Sequence, residues 1–176
     1  MAVTLFPYTG DDFPLLVEQN APEMMTYLGG PESDEALQRR HEKYQRLMRE
    51  GKARMFRIAS PADPAVGIIG WWLSEWHDQP VQEAGWSILT RHQGQGYATD
   101  ALRLLVRDAA EHGDRPLLVA NPRVDNAASN AICQRVGFSF RGEEDSEYPP
   151  GHRIRTNVWT FDLAGYRESL ALGYLD

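Results

Sequence analysis

Cysteine is nearly absent: Cys133 stands alone in 176 residues. No disulfide can close within such a chain, which suits a reducing compartment. Nor does any stretch approach the roughly 18 consecutive apolar residues of a membrane span. The opening residues, Met1-Ala2-Val3-Thr4-Leu5-Phe6-Pro7, lack the basic-then-apolar order of a secretory signal. A cytoplasmic protein with no membrane partner is expected. The five histidines (His41, His77, His92, His112 and His152) are never three or four residues apart, so no structural zinc set and no metal site is legible. Runs of Lys or Arg with interleaved aromatics are also missing, and the formal net charge is −7. Nucleic acid is therefore a poor partner, and the charge mildly favours a cationic substrate. Internal repeats and low-complexity segments are absent.

What is present is a globular composition, 42% hydrophobic and 24% charged, on a length that suits one core; residues 1–176 read as a single domain. Residues 3–8 form a short apolar run, plausibly the first strand. Asp11-Asp12 offers a helix start through about Glu18, residues 22–27 suggest a further helical piece, and Ser33 can cap a helix that Gly51 ends. Strands follow at 55–58, 66–72 and 81–89, with Gln79-Pro80 as a turn between the last two. Tyr97–His112 is the clearest helix: Ala98, Ala101, Leu102, Leu105, Val106 and Ala109 make one stripe, with Gly113 as its C′ residue. Leu117–Ala120 reads as a buried strand, Asn126 opens a helix ending at Gly137, and residues 138–141 and 156–161 read as the last strands, with 143–153 connecting them. The class is α+β: a mixed, mostly antiparallel sheet flanked by helices, with one parallel, right-handed strand–helix–strand crossover.

The informative segment is Arg91-His92-Gln93-Gly94-Gln95-Gly96-Tyr97-Ala98, a Gly-rich loop between a strand and a helix. The first helical turn leaves backbone N–H groups without partners and carries partial positive charge. Glycines let a phosphate approach the backbone, and Arg91 adds a cation. The result is an anion site suited to a phosphate or pyrophosphate. A plain glycine turn before an ordinary helix fits the loop by itself about as well. A Walker loop needs Gly-x-x-x-x-Gly-Lys-Ser/Thr, which the chain lacks. A dinucleotide fingerprint needs a third small residue where Thr99 stands, inside a repeated parallel fold. Asp114 lies near the spacing of a ribose-binding acid, but in a polar turn.

The segment 91–96 resembles the Arg/Gln-x-x-Gly-x-Gly/Ala signature of the GNAT superfamily of N-acetyltransferases. Downstream, Asn126-Ala127-Ala128-Ser129-Asn130 followed by Arg135-Val136-Gly137-Phe138 resembles that family's Asn-x-x-Ser … Gly-Phe segment, at the family's separation. The resemblance runs from about Val3 to Leu163 and is closest in pattern to the branch of ribosomal-protein alanine acetyltransferases. It implies acetyl transfer from acetyl-CoA to a primary amine, on a protein N-terminus or a small molecule, by direct transfer in a ternary complex. A non-catalytic acyl-CoA-binding module is the rival, and the exposed sheet edges of such folds allow a homodimer.

Carried over residue by residue, the resemblance assigns the pyrophosphate to Arg91, Gln93, Gly94, Gln95, Gly96, Tyr97 and Ala98. It assigns the pantetheine arm to the backbone of Ile88, Leu89 and Thr90, between two strands that splay apart. Asn126, Ser129, Asn130 and Cys133 are expected on one polar face of their helix, and Asn121 is a further pantetheine contact. The Ile88 or Leu89 amide is the expected oxyanion donor. Glu83, the one acid in its strand, is the candidate base, acting directly or through water; a plain strand-edge glutamate is the alternative. Where many members place a tyrosine as general acid, this chain has Cys133, so Tyr148 and His152 are alternative donors. The acceptor pocket is expected between the 22–51 helices and the 148–152 turn.

Overall fold

The computed structural model describes residues 3–173. Seven strands form one sheet: β1 (Thr4–Pro7), β2 (Ala53–Ala59), β3 (Gly67–Trp76), β4 (Gln79–Ile88), β5 (Leu117–Ala120), β6 (Ser139–Glu147) and β7 (Arg153–Asp162). Their spatial order is β1-β2-β3-β4-β5-β7-β6. Every pairing is antiparallel except β4 with β5, which are joined through helix α3 (Tyr97–His112). The mixed α+β architecture with one parallel crossover is therefore as expected.

Period-two alternation sends apolar side chains to both faces. Phe56, Ile58, Ile69 and Trp71 join the larger core, where Ala101, Leu102, Leu105 and Ala109 of α3 are wholly buried. Burying one such leucine contributes about 1.5–3 kcal/mol. Met55, Ile68 and Leu89 face the other way, under α1 (Phe13–Glu18) and α2 (Asp34–Arg49). Polar groups tie the layers together. Asp108 of α3 accepts two hydrogen bonds from Arg54 Nε and Nη2 at 2.8 Å each and one from Trp71 Nε1 at 2.9 Å.

Four local expectations need correction. The hairpin between β3 and β4 turns at His77-Asp78, both left-handed (φ 49° and 60°), as a two-residue hairpin demands, and Gln79-Pro80 already belongs to β4. Pro80 is tolerated because strand alternation turns its amide position away from β3, where no hydrogen bond is lost. Residues 22–27 form irregular turns instead of a helix. Gly113 is extended (φ −105°), so it is no left-handed cap; a Cβ there would lie 2.1 Å from the buried Gln82 side chain. Finally, most of the expected 143–153 connection is strand, since β6 and β7 extend to Glu147 and from Arg153. A last helix, α5 (Leu163–Ala171), follows β7. Its Arg167 donates to the carbonyls of Ala110, Gly113 and Arg115 at 2.8, 3.0 and 2.9 Å, capping α3.

Candidate active site

The site begins where two strands part. β4 and β5 pair only at Gln82↔Leu118 and Glu83↔Val119, while β4 runs on to Ile88. Alternation along β4 gives the odd-numbered amides to β3, as the bond from Leu89 N–H to the Val66 carbonyl at 2.9 Å shows. The amides of Ala84, Trp86 and Ile88 therefore face the opening fork. This corrects the expectation for Leu89 on two counts. Its amide is already committed to Val66, and its side chain is buried in the core under α2, so it is not an oxyanion donor.

Beyond the fork, residues 90–92 make a short 3-10 turn, and Gly96 (φ 83°) precedes α3 without a side-chain cap. The first-turn amides of α3 thus have no capping side chain. Gly94 (φ 75°) and Gly96 occupy backbone conformations that favour glycine, and the space above both is open. Gln93 Nε2 donates to the Ile88 carbonyl at 2.9 Å, tying the loop back to the strand end. Arg91 is ion-paired with Glu18 and lies 3.9 Å from Asp63. Thr90, Gln93, Gly94 and Gln95 are exposed, Ala98 is half-buried, and Tyr97 packs its ring into the core, leaving only its backbone for a ligand.

On the sheet face opposite α3, a cleft of about 620 Å³ is lined from four directions. The fork contributes Glu83, Gly85 and Trp86, and the segment from β5 into α4 (Ala127–Val136) contributes Asn121, Arg123, Asn126 and Ser129. Helix α2 contributes Arg40, Lys43, Tyr44 and Leu47, one face at i, i+3, i+4 and i+7, and the end of β6 and the turn after it contribute Glu147 and Tyr148. Of the expected pocket walls, α2 lines the cleft along one face, whereas the 148–152 turn reaches it only through Tyr148. Trp72 lies directly across from Glu83 and its ring covers Gly85, where a Cβ would sit 2.8 Å from Cη2.

Glu83 accepts hydrogen bonds from Ser74 Oγ at 2.9 Å and from Asn121 Nδ2 at 3.3 Å. Asn121 therefore spends its amide nitrogen on Glu83. Asn126 caps α4 (Ala127–Val136), accepting from the Ser129 amide at 3.1 Å. Asn130 is fully used inside the protein: it donates to the carbonyls of Arg123 and Asn126 and accepts from Asn157 and Trp159.

Cys133 requires correction. It is wholly buried among Leu118, Ala120 and Phe138, and burial pushes its thiol up to about 12. Asn130 and Cys133, three residues apart in α4, both turn inward, Asn130 onto internal hydrogen bonds and Cys133 into the core, so the expected polar face is an interior stripe beyond Asn126 and Ser129. Tyr148 instead lines the cleft, with its phenol pKa raised mainly by burial. His152 lies in the exposed turn, with its carbonyl accepting from the Tyr148 amide. Sequence reasoning missed Ser74, Arg40 and Lys43.

The acetyltransferase (GNAT) domain family model matches residues 2–139. The chain belongs to the GNAT acetyltransferase family. A curated relative, the ribosomal-protein-serine acetyltransferase of Escherichia coli (strain K12), is 34% identical over 96 residues, covering 54% of this chain and 52% of that protein. The chain thus matches about half the length of this relative. Among solved structures, the Salmonella typhimurium acetyl transferase that modifies the N-terminal serine of a 50S ribosomal subunit protein shares the fold. Its TM-score is 0.75 at 24% identity, over 92% of this chain and 95% of that one. A spermidine N-acetyltransferase from Vibrio cholerae, in complex with CoA and spermine, has a TM-score of 0.76 at 16% identity, over 93% and 97%.

Proposed function

We propose that this GNAT chain moves an acetyl group from acetyl-CoA to a primary amine, a peptide N-terminus or a small amine, by direct transfer in a ternary complex. One observation carries the reading: Glu83 stands at the point where β4 and β5 part, and it lines the cleft between that fork and α2. The residues present fit the cofactor. The amides of 94–98 and Arg91 offer an anion site for a pyrophosphate, and the unpaired β4 amides suit an extended arm laid along a strand edge. Asn121, Asn126 and Ser129 line the same passage.

Acetyl-CoA, when bound, supplies a thioester carbonyl open to attack. Glu83 takes the proton that the amine must lose, directly or through one water. The Ile88 amide, turned into the fork, donates to the carbonyl oxygen as it gains charge. Tyr148, which lines the cleft and whose phenol is protonated at neutral pH like that of any tyrosine, is the proton donor for the departing sulfur. Helix α2 and the 148–152 turn hold the amine.

Release of CoA thiol from acetyl-CoA, followed across peptides with different first residues, polyamines and amino sugars, tests the proposal. Turnover on at least one class of primary amine is expected. Binding of acetyl-CoA with no turnover on any amine would favour a non-catalytic acyl-CoA-binding module.

A further inference from the structure

The carboxylate of Glu83 is held from two sides. Ser74 donates its hydroxyl to Oε2 from β3, and Asn121 donates its amide to Oε1 from just beyond β5. The register places Trp72 opposite Glu83 and Ser74 opposite Val81, so Ser74 is the diagonal neighbour of Glu83 on the same sheet face. Asn121 reaches back across the place where β4 and β5 cease to pair, one residue past Ala120. Each carboxylate oxygen therefore has a donor from a different strand, and each keeps a lone pair for a proton or a water.

Both donors are neutral. A cation bonded to the carboxylate would repel the ammonium form of an incoming amine, and two uncharged donors do not. They also fix the plane of the carboxylate, which a base must present within hydrogen-bond reach of the proton it takes.

We infer that Ser74 and Asn121 are positioning residues for Glu83, holding its carboxylate in one orientation toward the cleft. The inference rests on Glu83 being the base. In the step they serve, the amine nitrogen gives its proton to a Glu83 oxygen while its lone pair forms the bond to the acyl carbon and the carbon–sulfur bond breaks. Ser74 and Asn121 keep their own protons throughout.

The test is steady-state kinetics on Ser74→Ala, Ser74→Thr and Asn121→Ala, with Glu83→Gln as reference. Loss of one charge-assisted hydrogen bond should lower kcat about tenfold in Ser74→Ala, with KM for acetyl-CoA unchanged. Ser74→Thr, which keeps the hydroxyl, should recover most of the rate, and Asn121→Ala should lower kcat in the same way. Wild-type kcat in Ser74→Ala, beside an inactive Glu83→Gln, would overturn this inference alone. Full turnover in Glu83→Gln would overturn the assignment of the base, and the inference with it.

Discussion

Cys133 and Glu83 illustrate how burial separates two residues that both carry chemistry-bearing groups. Glu83 lines the cleft with two neutral donors, whereas Cys133 is sealed among apolar side chains. Replacing Cys133 with Ala should cost about 1–2 kcal/mol of stability through lost packing, read as a lower urea midpoint, with kcat unchanged. The thiol also gives a pH test. Its folded value of about 12 lies above its unfolded value of 9.0, so its contribution is complete below pH 9 and is lost as pH rises from 9 toward 12. The gap in urea midpoint between wild type and Cys133→Ala should therefore narrow between pH 8 and pH 10.5. A gap that widens over that range would contradict the burial argument.

At the level of elements, close approach explains a glycine that looks like a cap. Gly113 leaves room for Gln82, whose amide donates to the Ala109 carbonyl at 3.2 Å inside the core. Gly113→Ala should displace that side chain and cost about 1–3 kcal/mol, seen as a lowered Tm with acetyl-CoA affinity retained. The limits of Tyr97–His112 were legible from its apolar stripe, and those of Leu117–Ala120 from a short apolar run bounded by Pro116 and Asn121. The turn at His77-Asp78 is masked because Pro80 draws attention two residues late, although His and Asp are both enriched in the left-handed region. That slip hid Ser74, since only the correct register makes it a diagonal neighbour of Glu83. The part of β6 beyond residue 141 escaped for another reason. It is an edge strand, largely exposed, and its Glu143, Glu144, Asp145 and Glu147 read as loop; charge on an edge also discourages pairing with other chains. Of the candidate site, the loop and Glu83 were readable as motif and as isolated charge. The commitment of the Leu89 amide to Val66 was not, because hydrogen-bond direction along a strand follows only from its register.

At the scale of the whole molecule, the sheet joins a Gly-rich loop, a strand fork and a cleft. A ligand bridging loop and fork should stabilise the entire fold. Acetyl-CoA at 100 times its Kd adds about 2.7 kcal/mol, which for a chain of this size raises Tm by roughly 5–10 °C. Gly96→Glu places a carboxylate at a left-handed position in the phosphate loop and should abolish that rise. An undiminished rise in this variant would place the cofactor elsewhere. The most direct test of the account compares wild type with Glu83→Gln in two measurements on the same preparation: acetyl-CoA affinity, and release of CoA thiol with the best amine acceptor. The account predicts unchanged affinity and turnover lower by about 10²-fold or more. Equal turnover in the two proteins would contradict it.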